Sequence, residues 1–279
     1  MALYTMKEIL RDAQQRGYGV GYFNAVNMEM VRANIRAAEE CNSPIIIGTA
    51  EALLPCADFD WIVPVMIEQA RNAKVPVAVH LDHAYSYEVL MRALRHGFGS
   101  VMYDGSRLPD QRNNIRISKE IVHIAHCMGV GVECELGSVG GLCDEAGHED
   151  KVIYTEPSDA QAFLEQTGAD FLAVSIGTAH GVYKATPKLD IPRLMEIRRV
   201  VDAPLVLHGG SGLSDEDFRN TIAGGISKIN VYTDIILAAK QAIADNPTAG
   251  YTDLNLLAEE AMKQATLEKL RLFGSAGMA

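Results

Sequence analysis

Cysteine is scarce in this chain: five residues in 279, with no CxxC pair among them. Cys41, Cys56, Cys127, Cys134 and Cys143 form an odd set. That excludes a fully paired disulfide framework and fits free thiols in a reducing cytoplasm. No apolar run reaches the roughly 18 residues a membrane helix needs, and the mean hydropathy is close to zero (+0.02). The opening MALYTMKEIL carries charge early and shows no apolar core or cleavage site, so no secretory signal is expected. Positive charge is also short, with 25 Lys and Arg against 36 Asp and Glu and a net charge of −11. This balance argues against nucleic acid and anionic membrane surfaces as partners. A small anion stays admissible, because helix N-termini, backbone N–H groups and a metal ion supply positive potential locally. No GxGxxG turn, linker, low-complexity stretch or domain boundary stands out. Residues 1–279 therefore read as one domain, and a 48% hydrophobic composition can bury a large core.

What the chain does contain is a repeated alternation of short β-branched runs and helical patterns. Eight runs are recognisable: Tyr18–Asn24, Pro44–Thr49, Pro76–His83, Ser100–Asp104, Gly129–Leu136, Phe171–Thr178, Pro204–His208 and Lys228–Val231. Helical stretches such as MEMVRANIRAAEE, SYEVLMRALRHG and PRLMEIRRVV separate them. Ser158 to Gln161 and Ser214 to Asp217 have the spacing of capping boxes. Gly97 and Gly168 close helices. Eight strands alternating with helices predict an α/β fold of the closed (β/α)₈ TIM-barrel type. An open doubly wound sheet, the rival, would use fewer strands and a glycine-rich first turn. The segment from Gly137 to about Thr155 is a long acidic insertion, and the chain after Gly250 reads as a C-terminal helical extension.

Barrel enzymes work at the C-terminal ends of their strands, and here those ends are polar. In order they reach Asn24, Thr49, Asp82-His83, Asp104, Glu135, His180, His208 and Asn230. A single histidine at a strand end is commonly a satisfied structural residue. Three of them, His83, His180 and His208, form the donor set of a catalytic zinc site with one open position. His123, His126, His96 and His148 read as surface, packing or loop residues, and His80 as a structural residue in mid-strand. Strand alternation would send Asp82 and His83 to opposite faces, so both serve one site only if the strand ends or twists there. After strand seven comes HGGSG (His208–Gly212), and after strand eight NVYTD (Asn230–Asp234). The loops after strands seven and eight are a frequent phosphate site in this fold. Glycines admit the anion to the backbone, and Ser211 and Thr233 offer hydroxyls.

HLDHAYSYE, SVMYDGSRLP, VECELGSVGG, AVSIGTAHGVY, PLVLHGGSGL and KINVYTD, in that order, resemble the class II fructose-bisphosphate/tagatose-bisphosphate aldolases, with a similar FGSAG near the end. The resemblance implies a lyase that cleaves a ketose phosphate to dihydroxyacetone phosphate and an aldehyde. It implies Asp82 as the acid/base and His83, His180 and His208 as ligands of one Zn²⁺. It places the triose phosphate on Asn24, Gly181, Gly209, Gly210, Ser211, Asn230, Val231, Tyr232 and Thr233. Asp104 and Glu135 match acidic residues that hold a second metal position in some members. A monovalent cation (Na⁺ or K⁺) near the phosphate and a homodimer or homotetramer also follow from the resemblance. Two departures bear on the identity of the sugar. The strand-five loop reads GGLCDEAG, so Asp144 and Glu145 stand beyond the place where relatives often carry an acid, and Tyr232 is bulky where relatives often have Ala or Asp. A Schiff-base aldolase would need a lysine near the barrel mouth. Lys228 starts a strand, at the wrong end, and Lys184 lies in a loop beyond His180. Two alternatives stand beside the aldolase: another metal-dependent isomerase or lyase, and a non-catalytic aldolase-like subunit. Retained triose-phosphate loops disfavour the first, and the presence of Asp82 with all three histidines disfavours the second.

Overall fold

β-Branched runs buried on both faces need helices to cover them, and alternation of the two forces parallel pairing through right-handed crossovers. The structure, a computed structural model, describes residues 3–139, 153–181, 183 and 187–279. Its strands are β1 (Val20–Asn24), β2 (Ile45–Ala50), β3 (Val77–Ala84), β4 (Ser100–Tyr103), β5 (Gly131–Leu136), β6 (Phe171–Val174), β7 (Leu205–Leu207) and β8 (Ile226–Val231). They close into a barrel in chain order, with β8 returning parallel to β1. The helices are α1 (Met6–Arg16), α2 (Met28–Glu40), α3 (Phe59–Asn72), α4 (Tyr87–His96), α5 (Gln111–Cys127), α6 (Pro157–Thr167), α7 (Ile191–Val200), α8 (Asp215–Ala223), α9 (Thr233–Ala244) and α10 (Tyr251–Leu272).

The predicted (β/α)₈ barrel with its C-terminal helix is therefore the observed fold, with shifted boundaries. β8 begins at Ile226, two residues before Lys228, and β6 stops at Val174 rather than Thr178. Gly97 and Gly168 end α4 and α6 in the left-handed conformation, and Ser214 with Asp217 forms the expected reciprocal cap. The other expected cap is not made. α6 starts at Pro157 with Glu156 before it and no side-chain cap, because proline at the first helical position has no N–H to satisfy and presets the helical φ. α10 lies along α2 and α9. Its buried Glu259 accepts from Arg32 Nε at 3.1 Å and from Arg36 at 3.0 Å, and Thr266 donates to Asn34 at 2.9 Å.

α1 was not among the expected helices, although Thr5 and Glu8 form a capping box at its start and Gly17 closes it. Its Met6, Ile9, Leu10 and Ala13 join Tyr22, Ile46, Ala78, Phe171 and Val206 in one buried cluster. The helix thus plugs the barrel at the end away from the functional residues. Inward positions along the strands change character with height. Val20, Ala78 and Val206 are apolar, while Glu133, Lys228, Asp82, His208 and Asn230 lie further toward the strands' C-terminal ends. No helix among the described residues is long and apolar enough to cross a membrane.

Leu10 is completely buried in the plug. Leu10→Ala should lower unfolding free energy by about 2–5 kcal/mol, the usual cost of such a cavity. The denaturant midpoint measures it, and a change below about 1 kcal/mol would mean the plug is not part of the cooperative core.

Candidate active site

Alternation along β3 points Ala78, His80 and Asp82 inward and would turn His83 outward. The ladder between β3 and β4 breaks at this point. Leu81 pairs with Val101, but the next pair is Ala84 with Tyr103, so β3 carries one extra residue. His83 takes φ 30°, a region unusual for a residue with a side chain. The irregularity swings His83 back over the barrel mouth beside Asp82, which removes the conflict that ideal alternation posed.

His83, His180 and His208 converge there. Their ring centroids are 4.5 Å (His83–His208), 4.9 Å (His83–His180) and 5.7 Å (His180–His208) apart, with near-perpendicular planes. One nitrogen from each lies within 4.8 Å of the others. Nδ1 of His83 donates to Asp104 at 2.9 Å, and Nε2 of His208 donates to Glu133 at 2.8 Å. The remaining nitrogens, Nε2 of His83 and Nδ1 of His208, then face each other at 2.7 Å. Two lone pairs cannot meet at that distance; a proton or a metal ion has to lie between them. His180 Nε2 is buried without a hydrogen-bond partner among the described residues. Three inward nitrogens, two of them oriented by carboxylates, fit a divalent metal of the zinc type.

Charge states agree with this geometry. Burial disfavours a charged His83, but Asp82, Asp104 and Glu135 around it prevail and raise it to about 10. Burial, reinforced by the charge on His83, pushes His180 down to about 3 and His208 well below the usual imidazole value. In the metal-free protein one proton thus sits on His83 and bridges to His208. Burial would raise Asp104, yet its contact with His83 and the Ser106 hydroxyl hold it well below the carboxylate range. Glu135 is pushed up to about 8, first by burial and then by the charge of Asp104. Ligand atoms of His83, Asp104 and Glu135 also form a compact group, and Glu135 Oε2 has no partner among the described residues.

One cleft holds the rest. Asn24, Asp82, His83, His180, Gly181, Gly209, Gly210, Ser211, Asn230, Val231, Tyr232 and Thr233 all line it. Asn230 Nδ2 donates to both oxygens of Asp82, at 3.0 and 3.1 Å. Ser211 Oγ accepts from the N–H groups of Tyr232 and Asp234 at 3.2 and 3.3 Å, joining the loop after β7 to the start of α9. With Asp234 N–H on Ser211 and Ile235 N–H on the Tyr232 carbonyl at 3.0 Å, the Thr233 N–H is the helix-start donor left to meet an anion among the described residues. Gly209 has φ 68°, and a Cβ there would lie 2.4 Å from the Ala179 carbonyl oxygen, so no other residue fits. Tyr183 locks the same contact by donating to Gly209 O at 2.7 Å and accepting from Ala179 N at 3.0 Å. The cleft continues past His83 into an open half lined by Tyr85, Asp104, Ser106, Arg107, Glu135 and Tyr232.

The candidate residues read from the sequence are thus gathered around one mouth. Asp144 and Glu145 lie outside the described residues, as do Cys143, His148 and Lys184. One placement needs correction. Lys228 is not at the start of a strand but third in β8, and its side chain is fully buried in the barrel, 2.8 Å from Glu133 and 3.9 Å from Asp82. Glu133, which meets both His208 and Lys228, is not at a strand end and is not marked by the strand-end pattern. Two-residue alternation with Glu135 on β5, and of Lys228 with Asn230 on β8, was the available signal.

A parallel barrel with a carboxylate and three convergent imidazoles at the strands' C-terminal ends is the frame of a metal-assisted barrel enzyme. Comparison with known proteins narrows the class. The model of the class-II fructose-bisphosphate aldolase family matches residues 4–278. Fructose-bisphosphate aldolase of Thermus caldophilus is 41% identical, over 99% of this chain and 100% of that one. The crystal structure of the YdjI aldolase from Escherichia coli K12 superposes with a TM-score of 0.91 at 39% identity, covering 99% of both chains. A putative fructose-1,6-biphosphate aldolase from Coccidioides immitis gives a TM-score of 0.91 at 29% identity, covering 98% of this chain and 97% of that one. The chain belongs to the class-II fructose-bisphosphate aldolase family and is accordingly a lyase.

Because His83 holds its proton up to about 10, a metal must displace that proton to bind below this pH. Metal-free protein given one equivalent of zinc at about pH 8 should release at least about one proton per chain, from His83 with a fraction from Glu135, and affinity should rise with pH. An indicator dye in weak buffer measures the release. Zinc uptake without proton release would contradict the bridging proton.

Proposed function

We propose that the chain is a zinc-dependent aldolase that reversibly cleaves a ketose 1,6-bisphosphate of the fructose or tagatose type, or a related ketose 1-phosphate. The products are dihydroxyacetone phosphate and an aldehyde. The observation that carries this reading is the placement of Asp82 Oδ2 3.9 Å from His83 Nε2, in the same cleft as the glycine loops after β7 and β8. Zinc held by His83, His180 and His208 would supply Lewis acidity toward the ketose oxygens. Asp82 takes the C4 hydroxyl proton, the C4 carbonyl forms and the C3–C4 bond breaks. The electron pair remains on C3, conjugated with the C2 carbonyl, and reprotonation at C3 gives dihydroxyacetone phosphate. Asn230 holds Asp82 toward the reacting atoms through its two hydrogen bonds. The glycine turns at Gly181, Gly209 and Gly210 and the Val231–Tyr232–Thr233 turn, with the hydroxyls of Ser211 and Thr233, receive the phosphate, and Asn24 closes that end.

Asp104 and Glu135, beside His83, provide a second metal position. A monovalent cation, Na⁺ or K⁺, would sit by the phosphate loops. Lys228 is engaged by Glu133 beneath Asp82, and no lysine lines the cleft among the described residues, so an imine mechanism has no nucleophile there. Exposed Ile236, Leu237 and Ile243 on α9 and Tyr251 and Leu256 on α10 support assembly into a homodimer or homotetramer. Cys41, Cys56, Cys127 and Cys134 are unpaired, in keeping with the cytoplasm as the place of work.

Chelation should abolish cleavage and zinc should restore it. Asp82→Asn should retain zinc while kcat falls about 10²–10⁴-fold, the usual worth of a positioned acid/base. Loss of zinc by that variant would reassign Asp82 as a ligand. The triose half can be tested without an aldehyde. Zinc-loaded protein should exchange one C3 proton of dihydroxyacetone phosphate for deuterium in heavy water. If Asp144 or Glu145 serves as the loop acid, exchange persists even where fructose 1,6-bisphosphate is cleaved poorly. Exchange at the uncatalysed rate would remove the proposed base.

A further inference from the structure

Below the mouth lies a second polar layer that the reaction does not touch. Glu133, Lys228 and His80 are each 0% exposed. Glu133 uses both oxygens: Oε1 accepts from His208 Nε2 at 2.8 Å, and Oε2 accepts from Lys228 Nζ at 2.8 Å. Lys228 lies 3.9 Å from Asp82 Oδ1 and 4.6 Å above the Tyr22 ring. His80 binds Ser100 Oγ at 2.8 Å through Nδ1, and its Nε2 lies 3.6 Å from Glu133. His80, Asp82 and Glu133 together have the spacing of a cation site. The Lys228 ammonium already occupies the cation's role there.

Barrel interiors are ordinarily filled with branched apolar side chains. Burying an ammonium and a carboxylate costs several kcal/mol per ion, and such pairs commonly give no net stability over apolar residues of equal size. A reason other than packing is therefore needed, and the contacts of Glu133 supply one. A carboxylate has no proton to give, so His208 must carry its proton on Nε2. Its Nδ1 is then an open lone pair, aimed at the point where His83 and His180 converge. We propose that Glu133 and Lys228 are positioning residues for the metal site: Glu133 fixes the tautomer and orientation of His208, and Lys228 anchors Glu133. The proposal rests on the metal reading given above and extends it by two residues. Lys228 also stands between the ligand's anchor and Asp82, so one buried ammonium ties the metal side of the site to its proton-transfer side.

The test is zinc affinity of metal-free protein, by competition with a chromophoric chelator, alongside circular dichroism and thermal unfolding. Glu133→Gln should keep the fold and weaken zinc binding about 10–100-fold, the usual effect of removing an outer-shell partner. Lys228→Met should weaken it less, because Glu133 still meets His208. The double variant, Glu133→Gln with Lys228→Met, removes both charges at similar volume and guards against an unpaired buried ion in either single variant. It should fold and retain the loss of affinity. A folded double variant that binds zinc within about twofold of the parent, against that 10–100-fold expectation, would reduce the pair to a structural feature. A double variant that fails to fold would equally overturn the proposal, since the pair would then serve the fold rather than the ligand. Failure of the parent protein to take up zinc is a separate outcome and would sink the metal reading itself, and this proposal with it.

Discussion

The extra residue in β3 is the constraint on which the site depends. Asp82 and His83 are adjacent in the chain, so regular pleating would give one to the barrel interior and the other to the helices outside. The shift between Leu81 and Ala84 lets both reach the mouth. A positive φ at a histidine costs on the order of 1–3 kcal/mol, and the surroundings must hold it. Both ring nitrogens of His83 do so, one on Asp104 and one on His208. From that placement follow the meeting of three imidazoles, the proton between two of them and the access of Asp82 to the same cleft.

Charge is arranged by height in the barrel. The closed end is apolar and plugged by α1, while acids, imidazoles and one lysine occupy the strands' upper halves. The protein is acidic overall, with a net charge of −11, yet the mouth is equipped to receive an anion. The N-terminal end of α9, glycine turns after β7 and β8, and a metal-ready set of imidazoles are local sources of positive potential. Net charge is a property of the whole surface, and it does not decide the field inside a cleft with low-dielectric walls.

The two halves of the cleft are built differently. The half beside the loops after β7 and β8 is closed by contacts to backbone across loops, such as Tyr183 on Gly209 and Ser211 on the α9 start. Rigid backbone donors suit a part of the substrate common to many sugars. The other half is lined by side chains that differ in length and charge, among them Tyr85, Arg107 and Tyr232. Under the proposed reaction, the aldehyde would be selected there.

Much of this was legible before any coordinates. Short β-branched runs between amphipathic helices imply a barrel because both are local periodicities, and functional residues at strand ends follow from the barrel's geometry. Asp82, His83, His180 and His208 could be picked out on residue type and position alone. Three things could not. The bulge in β3 depends on how its ladder meets β4, which no local pattern in HLDH encodes. α6 starts at Pro157 with no side-chain cap in place of the expected Ser158 box, because helix starts compete within a residue or two. Glu133 and Lys228 are 95 residues apart, and their pairing beneath His208 exists only once the barrel has closed. Periodicity belongs to single elements and is written in the chain. Contacts across a barrel depend on register and closure, and those the tertiary structure decided.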